Sequence, residues 1–356
     1  MKELTPAEIF GIDYSLKLVE AVERATPLTN FLADTFFPRK EAVMADVVAM
    51  EYKRKGLQIA PYIVKNARGL NVGREKSKIS WYKPPRFGAR RVIGLEDLEQ
   101  RQFGELPNIY RATRPEERFA KMQAQDLADL IKMHNNRRAI MASEILNSGK
   151  LVMNAYADDG KITSTDTIEF DGFNSVTPAI VWSNAAAKIY ENLYDISEKI
   201  QESAGQIPTI AICGKNVERR LLANTEIKNW LMIPNRENLA MANFAPRFTD
   251  VNVRYIGRIS ALNLDLYSFA DSYVENGTKK YLVGENNVIM GVPGNGREVH
   301  SPVSFFQNGN WHTVSANYVP VYSYDDDAQT TSLTVYSRFL LIPETLDDWY
   351  LIKTEG

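Results

Sequence analysis

Few residues in this chain combine the types and spacing that chemistry demands. Cys213 closes the apolar stretch Thr209–Cys213 just before Gly214-Lys215, where a thiolate beside a lysine is a conceivable nucleophile. No histidine stands near it in sequence to act as a base, and lone cysteines mostly serve as small buried hydrophobes. The three histidines, His134, His300 and His312, are far apart, with no His-x-x-x-His pair to grip a metal. Gly69–Ser77 has the look of a phosphate-binding loop, but its Gly-Lys-Ser/Thr ending is missing and no helix pattern follows to aim amides at a phosphate. Asp158-Asp159 and Asp325-Asp326-Asp327 offer hard oxygen ligands without the spacing of a calcium loop, and the second reads as a solvated turn. The glycine-rich stretch Gly291–Gly296 reads as a mobile surface loop. The expectation is a protein with no catalytic group, no cofactor and no metal, and not an enzyme. A carboxylate or serine hydrolase stays formally open, and it would require a deep pocket with convergent, perturbed carboxylates.

What does stand out is charge. The chain has 356 residues, a net charge of −2, 44% apolar and 24% charged residues, ordinary values that argue against general disorder. Residues 51–91 hold twelve Lys and Arg against only Glu51 and Glu75, a net +10 that leaves −12 on the rest of the chain. Gly56, Gly69, Gly73, Gly88 and Pro84-Pro85 punctuate this segment. Leu57, Ile59 and Tyr62 near its start, and Ile79, Trp81 and Tyr82 near its end, show strand-like spacing. It reads as a two-stranded basic extension with a glycine-rich tip, too poor in apolar residues to build its own core. Such an arm needs a partner surface, and the acidic remainder of the protein has one to offer. The competing reading is a nucleic-acid arm in which Tyr52, Tyr62, Trp81, Tyr82 and Phe87 stack bases between cations. The mildly acidic whole argues against that alternative. The single cysteine excludes an internal disulfide framework. No apolar run approaches the ~18–20 residues that span a bilayer, so no membrane is expected. Met1–Pro6 lacks a basic-then-apolar signal pattern, so secretion is not expected either.

Several elements must position these features. Residues 1–45 look like an arm, with a helical stretch at Tyr14–Ala25 and with Phe31, Phe36, Phe37 and Pro38 as local anchors; the first helix of an ordinary globular domain fits equally well. Thr113-Arg114-Pro115-Glu116 has the form of a capping box, followed by Phe119, Met122, Leu127, Leu130, Ile131, Ile140, Met141, Ile145 and Leu146 at helical spacing and by a terminating Gly149. This predicts a helix over 113–148, a rod of about 50 Å that suits a strut better than a small enzyme. Asp158-Asp159-Gly160 marks a hairpin between Leu151–Tyr156 and Lys161–Phe170. A mixed region follows: helix 184–204, strand Thr209–Cys213, helix 216–223, and alternating strands at Val251/Val253/Tyr255 and Leu262/Leu264/Leu266. A hairpin turns at Asn276-Gly277 between Leu266–Val274 and Lys279–Val283, and strands return at Ser332–Ile342 and Trp349–Lys353.

The stretch Tyr273–Gly291, Tyr-Val-Glu-Asn-Gly-Thr-Lys-Lys-Tyr-Leu-Val-Gly-Glu-Asn-Asn-Val-Ile-Met-Gly, resembles the Tyr-x-Glu-Asn-Gly-x-Lys-Lys…Asn…Gly signature of the lambda-type major capsid (head) protein E family of tailed bacteriophages. Phe31–Pro38, Ala60-Pro61, Lys83-Pro84-Pro85, Glu144-Ile145-Leu146 with Gly149-Lys150, Ile168–Gly172, Ser332–Pro343 and Leu346–Lys353 resemble further stretches of that family in the same order. Residues 173–250 carry no comparable match. The resemblance implies an α+β, Hong-Kong-97-type phage capsid fold: N-terminal arm 1–45, extended loop 46–92, peripheral domain 93–180 with spine helix 113–148, axial domain 181–320, and C-terminal strands 321–356 returning to the peripheral domain.

It implies a major capsid protein that self-assembles as pentamers and hexamers into the icosahedral head around packaged double-stranded DNA. Lys53, Arg54, Lys55, Arg74, Lys76, Lys78, Trp81 and Arg86 of the extended loop would then meet a neighbouring copy. Tyr273, Glu275, Asn276, Gly277, Lys279, Lys280 and Gly291 would form the axial-domain hairpin and signature. The implied partners are other copies of the chain, a scaffolding protein, a portal, a decoration protein in some shells, and DNA held non-specifically on the inner face. The implied place is the virion capsid, after assembly in the bacterial host cytoplasm. Covalent Lys–Asn crosslinking, found in some related shells, is not expected here.

Overall fold

The structure, a computed structural model, describes residues 28–52, 78–94, 97, 115–157, 161–170, 172–232, 252–275, 277–307, 310–325 and 327–355. Helix α1 (Phe31–Phe36) leads into strands β1 (Arg39–Ala42) and β2 (Val48–Tyr52), then β3 (Lys78–Tyr82) and β4 (Arg86–Ile93). The long helix α2 (Pro115–Ser148) is followed by β5 (Lys150–Tyr156), β6 (Ile162–Glu169) and β7 (Ser175–Val176). Next come α3 (Ile189–Ala204), β8 (Ile210–Cys213), α4 (Val217–Ala223), α5 (Thr225–Trp230) and β9 (Leu231–Met232). Strands β10 (Val253–Ile259) and β11 (Leu264–Phe269) flank a 3-10 turn, and β12 (Ser272–Glu275), β13 (Thr278–Tyr281), β14 (Asn287–Gly291) and β15 (Gly296–His300) follow. The chain closes with β16 (Val303–Gln307), β17 (Asn310–Val314), β18 (Val319–Asp325), β19 (Thr330–Pro343) and β20 (Trp349–Lys353). The described residues fall into two compact units. One is drawn from 86–136 and 302–338, the other from 28–85, 137–301 and 339–356.

In the second unit a seven-stranded sheet runs β7-β20-β14-β8-β11-β10-β9. β8 lies at its centre, parallel to β11 and antiparallel to β14. α3 covers one face because Ile189, Leu193, Ile196 and Ile200 recur at helical spacing and pack against Ala211, Cys213, Leu264, Leu266, Val288 and Met290. Gly205, at φ +67°, ends α3 in the left-handed region, and its amide caps the Gln201 carbonyl. On the other face the Phe31 ring meets Tyr267 and Phe269, each at 5.7 Å. Burial from both sides explains why β11 is buried at every position rather than alternating.

The first unit pairs β19 with β18 on one side and β4 on the other, both antiparallel. Leu130 of α2 packs on Leu333 and Val335, with Leu127, Ala89, Tyr318 and Tyr322 around them. Arg91 reaches from β4 to Asp126 at 2.6 Å and Asp129 at 3.1 Å on the same helix. The hydrogen bond from Arg91 to Asp126 is the chief reason its guanidinium is held above its ordinary value.

Several sequence expectations change here. α3 begins at Ile189, five residues later than expected, because Asn184 closes a turn whose side-chain oxygen accepts the Ala186 amide. The expected strand 266–274 is two strands in two sheets, β11 and β12. Leu262 sits in the 3-10 turn, after which Asn263 takes φ 54°. Gly291–Gly296 is not a mobile surface loop but a packed turn. The Val292 amide donates to Asp348, the Gly294 amide donates to Thr35, and both terminal glycines are buried. β16, β17 and β18 were not expected at all. Tyr14–Ala25, Leu57–Tyr62, Thr113-Arg114 of the capping box, Val251 and Asp158–Gly160 lie outside the described residues.

Candidate functional site

The extended-loop stem is a two-stranded antiparallel ribbon, β2 on β3, with Val48 opposite Tyr82 and Ala49 opposite Trp81. Its root is fastened within its own unit. Arg297 of β15 donates to the Ala49 carbonyl at 3.2 Å and pairs with Glu41 of β1 at 3.0 Å. The Tyr82 hydroxyl donates to Asp166 of β6 at 3.0 Å. Burial, aided by that bond, pushes the Tyr82 phenol up to about 12. Trp81, by contrast, is 68% exposed, with Met44 and Val47 exposed as well. A large indole held in solvent on a hydrogen-bonded stem has the character of an interface anchor.

Of the residues expected on the loop, Lys53, Arg54, Lys55, Arg74 and Lys76 lie outside the described residues. Lys78 opens β3 opposite Tyr52. Arg86, in the other unit, is exposed and lies over the Tyr336 ring at 4.1 Å. The stem therefore unites Lys78 and Trp81.

The signature residues form a separate hairpin, β12 on β13, with Tyr273 opposite Lys280 and Glu275 opposite Thr278. Gly277 takes φ +76°, as a two-residue turn requires, while Asn276 lies outside the described residues. Lys280 pairs with Glu275 at 2.7 Å, and Lys279 approaches the Tyr281 ring at 5.1 Å. Ser143 and Asn147 of α2 both donate to the Leu282 carbonyl, at 2.6 and 2.8 Å, so the chain just past the hairpin is tied to the helix. Burial raises the Glu144 carboxyl above its usual range, against the pull of Arg137 and the Val152 amide. Gly291 has a packing role: a Cβ there would stand 2.6 Å from the Trp349 Cβ and 2.7 Å from the Asp348 carbonyl oxygen.

A buried ionic chain also lies at the root of the arm, and sequence reasoning did not find it. Arg138 of α2 donates to Glu298 of β15 at 2.8 Å and to Asp34 of α1 at 2.7 Å. His300 Nε2 stands 3.1 Å from the other oxygen of Glu298. Burial pushes the Glu298 carboxyl up, but the His300 bond and the Arg138 charge outweigh it and hold it below its usual value. Burial likewise works against the Arg138 charge, and Glu298 and Asp34 overcome it. A signal existed: Leu130, His134, Arg138, Ala142 and Leu146 fall on one helical stripe, so a cation sat among core positions.

Each described catalytic candidate is taken up within its own unit. Cys213 is buried, and burial drives its thiol well above the ordinary value, the opposite of an activated nucleophile. His134 is spent on the Val335 carbonyl at 3.0 Å, and burial lowers its tendency to charge. Asp325 accepts the Ala328 amide of its own turn. Among the described residues no group of three or more His, Cys, Asp or Glu side chains could hold a metal. No described helix is long and apolar enough to cross a membrane.

Comparison with solved structures bears on the fold. A putative capsid protein of an Escherichia coli CFT073 prophage superposes with a TM-score of 0.63 at 16% identity over 99% of both chains. A phage-related protein of Bordetella bronchiseptica RB50 gives 0.49 at 12% identity over 95% of this chain and 96% of that one. The mature capsid of bacteriophage PhiM1 gives 0.46 at 11% identity, covering 88% and 83%. The fold is thus the α+β, Hong-Kong-97-type fold of phage capsid subunits. The chain belongs to the phage major capsid protein E family, whose sequence pattern it matches over residues 16–353. That family is one of structural proteins of the virion capsid, not of enzymes. No curated protein matches the sequence. None of these likenesses supports the alternative of a nucleic-acid-binding protein.

Proposed function

We propose that this chain assembles as pentamers and hexamers into the icosahedral head of a tailed bacteriophage, enclosing packaged double-stranded DNA, and that neighbouring copies complete its stability. The observation that carries the assembly reading is the stem, fastened at its root, which presents an exposed Trp81 and belongs to the segment 51–91 of net +10 on an otherwise acidic chain. In this reading residues 1–45 are the N-terminal arm and 46–92 the extended loop. Residues 93–180 form the peripheral domain on its spine helix, and 181–320 the axial domain whose copies meet around five- and sixfold axes. The C-terminal strands 321–356 complete the subunit.

Lys53, Arg54, Lys55, Arg74, Lys76, Lys78, Trp81 and Arg86 contact an adjacent subunit, and the Tyr273–Gly291 hairpin and strand belong to the axial domain. Assembly takes place in the bacterial host cytoplasm with a scaffolding protein and a portal. DNA touches the inner face non-specifically, and the protein performs no catalysis of its own. Sedimentation of the purified protein under assembly conditions tests this. Discrete capsomers and large closed particles are expected, whereas a species that stays monomeric, or one that turns over a substrate, overturns the reading.

A further inference from the structure

Among the described residues β16 and β17 pair only with each other, from Val303 opposite Val314 to Gln307 opposite Asn310. The ribbon has two unlike faces. Val303 and Phe305 turn inward onto Val319, Val321 and Tyr336 and hold the ribbon to its unit. Phe306 and Trp311 lie opposite each other on the outer face, edge to face at 5.4 Å, yet are 56% and 75% exposed. Ser304 and Thr313 extend this face, their hydroxyls 2.9 Å apart. From Val303 to Tyr324 there is no Asp, Glu, Lys or Arg, in a chain that is 24% charged. Strands left facing water ordinarily carry charge to block contact with other chains. This one does not, and a two-stranded ribbon has little stability of its own in water.

We propose that the outer face of the β16–β17 ribbon is an apolar contact that seats on a second copy of this chain in the assembled shell. The inference rests on the capsid reading and adds to it a contact of a different kind from the basic loop. Area points to the occupant. Two aromatic side chains bury about 150–250 Å² each, so even a symmetric contact falls short of the roughly 1,200 Å² of a specific free-standing complex. A separate partner arriving from solution would gain too little here to stay. A copy already held by other contacts meets the ribbon at high effective concentration, and a weak contact then counts at every repeat of a closed shell.

The test is the double variant Phe306→Ser/Trp311→Ser beside the unaltered protein. Both side chains are exposed, so the melting profile of the subunit should not change. The subunit concentration needed for assembly should rise about tenfold or more. Raising the ionic strength should not relieve the defect, unlike a defect of charge. In the unaltered protein, amide exchange over 303–314 should slow on assembly, which decides the matter even if the variant does not fold. Wild-type assembly by the variant together with unchanged exchange refutes the ribbon contact and leaves the capsid reading standing. So does a variant that forms normal shells but loses a different virion protein. Failure of the unaltered protein to form any particle refutes the capsid reading itself.

Discussion

Arg138→Met would break the ionic chain at its middle. The Arg138 side chain is only 5% exposed and the Glu298 side chain 3%, whereas that of Asp34 is 63% exposed. The Asp34 contact, largely in water, contributes about 0–1 kcal/mol. The Glu298 contact is dry, and removing one partner of such a pair costs about 3–5 kcal/mol, because the survivor stays buried without compensation. Glu298→Gln keeps the shape and some hydrogen bonding, so its cost should fall at the low end of that range. Either loss is a large share of a total stability of about 5–15 kcal/mol. The double variant Arg138→Met/Glu298→Gln leaves no buried carboxylate without its partner, Asp34 being largely in water, and it should recover more than about 1 kcal/mol relative to the sum of the singles.

Chemical denaturation of unassembled subunits measures all three variants. Singles that each cost under about 1 kcal/mol, or a strictly additive double, would refute the reasoning. The pH dependence follows from the depressed carboxyl. Folding favours ionised Glu298, so its contribution is complete above the ordinary value of 4.5 and fades as pH falls through the lower folded value. In Glu298→Gln that acid-side loss should shrink.

Glu144 has the opposite sign, since burial raises its folded value above 4.5; Glu144→Gln should therefore stabilise the subunit at pH 8 and lose that advantage near pH 4, read from melting at both values. Gly291→Ala drives a methyl into Trp349 and the Asp348 carbonyl, and should cost about 1–3 kcal/mol and reduce soluble yield. Gly277→Val forces a β-branched residue to φ +76°, although a Cβ there meets no neighbour within 4 Å. Its cost should be about 1–3 kcal/mol, confined to the β12–β13 hairpin and visible as faster amide exchange there, with the seven-stranded sheet unchanged. Reversing Lys53, Arg54 and Lys55 to Glu should impair assembly most at low ionic strength, where repulsion is least screened, while the subunit stays folded. Normal shells that bind DNA poorly would favour the nucleic-acid reading instead.

What was legible in the sequence was periodic or charged. The 34-residue α2 announced itself by apolar spacing up to Gly149, whose φ of +65° ends the helix. The two-turn-residue hairpin at Gly277 and the strands β19 and β20 also lie close to where local pattern puts them. β16–β18 were illegible because residues 303–324 offer no polar–apolar charge contrast to reveal strand edges. β11 showed no alternation because both its faces are buried. The ionic chain escaped for another reason: Asp34, Arg138 and Glu298 are separated by 104 and 160 residues, and no local rule pairs such positions. The loop signature was readable in composition, whereas its fastening through Tyr82–Asp166 and Arg297–Glu41 depends on tertiary contacts alone.

A cryo-electron microscopy reconstruction of particles formed by this protein tests the central claim most directly. The account predicts a closed icosahedral shell of five- and sixfold clusters, with the basic segment 53–77 of each copy lying on a neighbour's acidic surface. Isolated subunits, open low-order oligomers, or a shell in which that segment folds back on its own chain would contradict it.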